Sequence, residues 1–124
     1  MLNILAVFTG GGIGAAARYL ISLNMAKYFE INLPFSTFLV NIIGSFIIGF
    51  LYFWFIGKVE LSHSLKLALT VGFCGGLTTF STFSLELFEM FTNQQFIHAF
   101  SYAILSVIIC LLMTAAGAYC AKFI

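Results

Sequence analysis

The chain has 124 residues, of which 62% are hydrophobic and 7% charged, and its net charge is +1. A water-soluble domain carries about 25% charged residues, so this chain cannot cover a solvent-facing surface and must be an integral membrane protein. A near-neutral charge gives no case for a nucleic-acid partner.

Four apolar runs follow one another at about residues 3–26, 33–57, 65–92 and 95–123. Each is long enough to cross ~30 Å of hydrocarbon at 1.5 Å per residue. They predict a single all-α transmembrane domain over residues 1–124, placed as a multi-pass protein in the cell membrane (the inner membrane of a Gram-negative source). The first run lacks a basic leader and continues past signal-peptide length, so it is expected to be retained. The separators hold most of the charge: Lys27-Tyr-Phe-Glu30, then Lys58-Val-Glu60 with His63 and Lys66, then Thr92-Asn-Gln-Gln95. With four spans, Lys58, Lys66 and Lys122 share one face, and Lys27 with Arg18 lies toward the other. Three cations against two is a very weak positive-inside signal, which fits insertion in both orientations or orientation fixed by the first helix.

The first span contains Gly10-Gly-Gly-Ile-Gly-Ala15, with Glu30 twenty residues after Gly10. The pattern mimics a dinucleotide-binding fingerprint, but that fingerprint needs a soluble βαβ unit. A small-residue packing face with Arg18 at helical spacing is the better reading. Arg18 has two open readings: it snorkels to the interface beside Tyr19, or it faces a watery vestibule and attracts anions.

In the second span Pro34 stands where the helix would begin. Thr37, Asn41, Gly44 and Ser45 then fall on one helical face. An asparagine in lipid needs a partner. It is either interhelical hydrogen-bond glue or a neutral donor facing a pore.

The third span carries Gly72-Phe-Cys-Gly-Gly-Leu-Thr-Thr-Phe-Ser-Thr-Phe83, with three glycines, three threonines and a serine in twelve residues. It predicts a helix broken near mid-membrane, Gly75-Gly76 having the greatest backbone freedom. Such backbone persists only if it is buried in protein, lines a water cavity or binds an ion. A glycine-rich packing face is the other reading. After the break, Thr79, Thr82 and Glu86 make one stripe, with Phe80 and Phe83 beside it. In the fourth span Tyr102, Ser106 and Cys110 recur at steps of four. Cys74, Cys110 and Cys120 all sit in apolar runs and read as reduced small hydrophobes.

Together these residues resemble the Fluc family of microbial fluoride channels over the whole chain. The likeness rests on Gly11-x-x-Gly14-Ala-x-x-Arg18-Tyr19, on Val40-Asn41-x-x-Gly44-Ser45-Phe46, and on Gly75-Gly-Leu-Thr-Thr-Phe-Ser-Thr-Phe83. In the fourth span it rests on Tyr102 and Ser106 alone. It implies a dual-topology homodimer of antiparallel four-helix subunits with two fluoride pores. It also implies a central structural sodium ion, not transported, on the main-chain carbonyls of Gly75 and Thr78 from both subunits. A two-fold axis would double two carbonyls to four and make any off-axis pore occur twice.

The chemistry is consistent with that resemblance. A fluoride pore must replace the ion's water shell without trapping the ion. Neutral donors suit this: Asn41, Ser81, Thr82, Tyr102 and Ser106. The ring edges of Phe80 and Phe83 carry partial positive charge, and Arg18 would gather anions at the mouth. Thr79 is expected beside the pore. Glu86 is awkward, since a carboxylate repels fluoride; it is protonated, paired with Arg18, or turned aside. Two other classes are a small multidrug-resistance exporter and a non-transporting assembly protein. The first needs an acidic residue in the first span, where Arg18 stands instead. The second needs no polar stripe on three helices. No nucleophile–base pair or metal-ligand cluster suggests an enzyme.

Overall fold

The structure is a computed structural model that describes residues 1–28, 34–56 and 60–124. Among these residues every regular element is helical. Helix α1 is Leu2–Tyr28 and α2 is Phe35–Ile56. The third span is in two pieces. Its first piece, α3 (residues 63–77), is α-helical over His63–Leu67, widens to a π-helix over Ala68–Cys74 and closes with one turn, Gly75–Leu77. The second piece, α4, is Phe80–Thr92, and α5 is Phe96–Ala121. All four spans are long and apolar enough to cross a membrane, as the run lengths predicted. Glu30, Lys58 and the predicted ends of the second span at 33 and 57 lie outside the described residues.

Several ends and hydroxyls of these helices are satisfied locally, as an apolar surround demands. The Ser62 hydroxyl caps α3 by accepting from the Leu65 N–H at 3.3 Å. Pro34 precedes α2 and its carbonyl accepts from Phe38 N–H at 3.0 Å. Thr9, Thr70, Thr92 and Thr114 each donate their hydroxyl to the carbonyl four residues earlier. At the end of α4, Gln95 N–H donates to Met90 O at 2.8 Å and Gln94 N–H to Phe91 O at 3.1 Å. This is a Schellman closure, with Gln94 rather than glycine in the left-handed region at φ 58°.

Two helix pairs form the bundle, α1 on α3 and α2 on α5. Both depend on glycine at the crossing. A Cβ at Gly10 would run into the Ala68 carbonyl, and one at Gly76 into the Gly11 carbonyl. Gly49 and Gly117 play the same part between α2 and α5, against the Thr114 and Phe46 carbonyls. Such contact between backbones is how helices gain packing energy where no hydrophobic effect is available between them. The buried core is correspondingly small, with Val40 and Leu77 its largest fully buried side chains. Leu2, Phe8, Ile97 and Leu111 stand exposed with many other large apolar residues, a surface that suits lipid and not water.

The break in the third span falls at Thr78 (φ −82°, ψ 159°) and Thr79 (φ −153°, ψ 121°), both extended. Gly75 stays helical at φ −65°, ψ −34°. The break therefore comes later than the glycine pair. Gly72 and Gly76 face α1 as packing residues, so both readings of this segment hold, on different residues.

Candidate functional site

The extended Thr78–Thr79 link leaves helical backbone groups without their usual partners, and α2 supplies some of them. Asn41 Nδ2 donates to the Thr79 carbonyl at 3.2 Å, and Thr79 N–H donates to Asn41 Oδ1 at 2.8 Å. The Thr79 hydroxyl caps α4, accepting from Thr82 N–H at 3.2 Å, and donates to Thr82 Oγ1 at 3.1 Å. On the other side Thr78 donates both its N–H, at 3.0 Å, and its hydroxyl, at 2.8 Å, to the Cys74 carbonyl. The carbonyls of Gly75 and Thr78 accept no hydrogen bond among the described residues.

A cavity of about 460 Å³ opens beside the break. Asn41, Gly75, Thr78, Thr79, Phe80, Phe83 and Ser106 all line it. Ser106 is only 7% exposed, and its hydroxyl has no hydrogen-bond partner among the described residues. A second cavity of about 210 Å³ is lined by Arg18, Ser22, Thr37, Thr79 and Thr82, with Ala15, Tyr19 and Val40. Arg18 is thus the cation of a pocket otherwise furnished with hydroxyls. The two aromatic residues part company. Phe83 is buried, its ring 5.1 Å from Tyr102 at 62°. Phe80 is 78% exposed, 5.6 Å from Phe83.

Glu86 lies behind these cavities and lines neither. Thr37 donates to its Oε1 at 2.6 Å and Tyr102 to its Oε2 at 2.9 Å. Of the three options for this carboxylate, pairing with Arg18 is not what the structure has: its partners are two neutral hydroxyls. Tyr102 spends its proton on Glu86 and lines a separate apolar cavity of about 190 Å³ with Phe38 and His98. Ser81 is exposed and borders neither of the larger cavities, its hydroxyl 3.3 Å from that of Thr79.

Thr37 and Ser22 were not foreseen as site residues. Thr37 shares the helical face of Asn41 one turn away, which was the available signal; Ser22, one turn after Arg18, had the same one. No cluster of three His, Cys, Asp or Glu that could hold a metal occurs among the described residues.

Residues 5–118 match the sequence profile of the family described as "CrcB-like protein, Camphor Resistance (CrcB)". The chain is 45% identical over 122 residues to a protein of Gloeothece citriformis named "Fluoride-specific ion channel FluC", covering 98% of each chain. A protein of the same name from Shewanella woodyi is 45% identical over 118 residues, 94% of each chain. One from Hydrogenobaculum sp. is 39% identical over 118 residues, 95% of this chain and 96% of that one.

Proposed function

We propose, from the premise that the chain belongs to the CrcB-like protein family, that it is a fluoride-selective ion channel of the cell membrane. It lets fluoride leave the cytoplasm down its gradient and carries out no reaction. The relatives named as fluoride-specific channels match it almost end to end. Within the molecule, one observation carries the reading. Ser106 holds a buried hydroxyl, unpartnered among the described residues, in the cavity shared with Asn41, Phe80 and Phe83. Buried donors have acceptors, and a small desolvated anion would supply one to Ser106.

The donors are neutral where the ion would be confined and charged only at Arg18. A fixed cation in the narrow part would hold fluoride too tightly to release it, whereas at the rim it raises the local anion concentration. Asn41 has a second amide hydrogen beyond the one given to Thr79. Phe80 and Phe83 can offer ring edges. Thr82 adds a hydroxyl on the Arg18 side. In this reading Tyr102 and Glu86 brace the wall, and Ser81 joins from the exposed side.

A structural sodium ion fits the break. Gly75 and Thr78 both line the larger cavity, and their carbonyls are free of hydrogen bonds among the described residues. Oxygen donors alone suit a small hard cation, and broken membrane helices offer their carbonyl ends to cations in this way. One subunit presents two such carbonyls, so the proposal includes an antiparallel homodimer whose axis supplies four and doubles the pore.

The test is flux from liposomes that contain only this protein. Fluoride should leave rapidly while chloride is retained. Equal release of both ions, or of neither, overturns the channel reading.

A further inference from the structure

The two cavities of the candidate site have one lining residue in common, Thr79. On one side lie Arg18, Ser22, Thr37 and Thr82; on the other lie Asn41, Ser106 and the two phenylalanines. We propose that Thr79 is the threshold between these compartments, the point at which fluoride passes from the pocket of Arg18 to the pocket of Ser106. The inference rests on the channel reading above.

Three features suit Thr79 to that place. Asn41 binds both its backbone N–H and its carbonyl, which holds the extended residue in position. Its hydroxyl caps α4, so it stands at the positive end of a thirteen-residue helix. Hydroxyls crowd around it, with Thr82 Oγ1 at 3.1 Å and Ser81 Oγ at 3.3 Å. An anion crossing there exchanges one set of neutral donors for another without meeting a full charge, so it is neither trapped nor repelled.

Loss of the cap alone would also impair the protein, so the test uses residues that cap equally well. Ser, Asp and Asn are all good N-cap residues. Thr79→Ser keeps both cap and hydroxyl and should rescue most of the fluoride flux. Thr79→Asp keeps the cap and places a negative charge in the passage. Its monodisperse protein should lose fluoride flux by about a hundredfold or more, from repulsion at close range. Fluoride flux in Thr79→Asp within a few-fold of the parent would make Thr79 a cap and nothing else. Should Thr79→Asp fail to fold, Thr79→Asn is neutral and capping but bulkier. It should change the fluoride-to-chloride flux ratio, and an unchanged ratio overturns the threshold. The parent chain is measured beside each variant. If the parent passes no fluoride, the channel reading itself falls and this inference falls with it. If the parent conducts and Thr79→Asp does too, only the threshold fails.

Discussion

Asn41 on α2 holds both polar backbone atoms of Thr79, its amide nitrogen 3.2 Å from the carbonyl oxygen and its amide oxygen 2.8 Å from the nitrogen. One side chain thereby pairs two of the backbone groups that the helix leaves without their usual partners at its break. An unpaired buried backbone group costs about 1–3 kcal/mol. Asn41→Leu should therefore destabilise the protein by about 2–6 kcal/mol, two such groups being left unpaired at once. Asn41→Asp keeps the acceptor for the Thr79 N–H, loses the donor and adds charge. It should fold better than Asn41→Leu in detergent unfolding and still lose fluoride flux. A fully active Asn41→Asp would remove Asn41 from the pathway and leave it a structural clamp.

Phe80 and Phe83 separate into one exposed and one buried ring, which sets different expectations for stability. Volume-conserving apolar swaps usually cost under ~1.5 kcal/mol. Phe83→Ile should show that cost, since its ring packs on Tyr102, and Phe80→Ile should show almost none in the isolated subunit. Both should cut fluoride flux sharply, because an aliphatic group offers no positive ring edge. Near-normal flux in both, measured on monodisperse protein, would return the pair to packing.

The glycines of the break region should differ by position. A Cβ at Gly76 meets the Gly11 carbonyl, whereas at Gly12 and Gly75 nothing lies within 4 Å. Gly76→Ala should cost about 1–3 kcal/mol as overpacking, and Gly12→Ala should be silent. A Cβ added at Gly75 meets nothing in its own chain. A loss of stability in Gly75→Val beyond about 0.7 kcal/mol, the range over which ordinary residues differ in helix propensity, would report on a partner or an ion at the Gly75 carbonyl. Assembly should then weaken when sodium is exchanged for a large organic cation. Equal stability in the two salts would argue against the sodium site.

Gln94 offers a test free of function. Its φ of 58° closes α4 in the conformation that glycine adopts without strain. Holding a side chain there costs about 1–2 kcal/mol. Gln94→Gly should stabilise the protein by about 1 kcal/mol, read as a higher unfolding midpoint, with fluoride flux unchanged. A lower midpoint would mean that the Gln94 side chain makes a contact worth more than the strain.

Charge near the span ends is almost balanced, with Lys58, Lys66 and Lys122 against Lys27 and Arg18. Insertion in both orientations is expected. A C-terminal tag should be reachable from both sides of intact cells. Two lysines added near residue 27 should bias orientation and lower activity until an oppositely biased copy is co-expressed. A tag seen on one side only would end the antiparallel dimer.

The number and place of the membrane spans could be read from the chain alone. A helix crosses hydrocarbon with about 20 apolar residues whose backbone it satisfies itself, and that rule is local. Most polar side chains of the site were legible for the same reason: Asn41, Thr82 and Ser106 are conspicuous in apolar runs, where each needs a partner. What each partner would be was not legible, because the partners lie on other helices. Glu86 bonds Thr37 and Tyr102, from α2 and α5, and not Arg18. The position of the break is the clearest case. Backbone freedom pointed to Gly75-Gly76, yet Gly75 stays helical and Thr78–Thr79 is extended. Gly76 is held against the backbone of α1, while Asn41 supplies at Thr79 the hydrogen bonds that an interrupted helix loses. A helix in lipid opens where a neighbour can satisfy its backbone, and only the packed bundle decides where that neighbour stands.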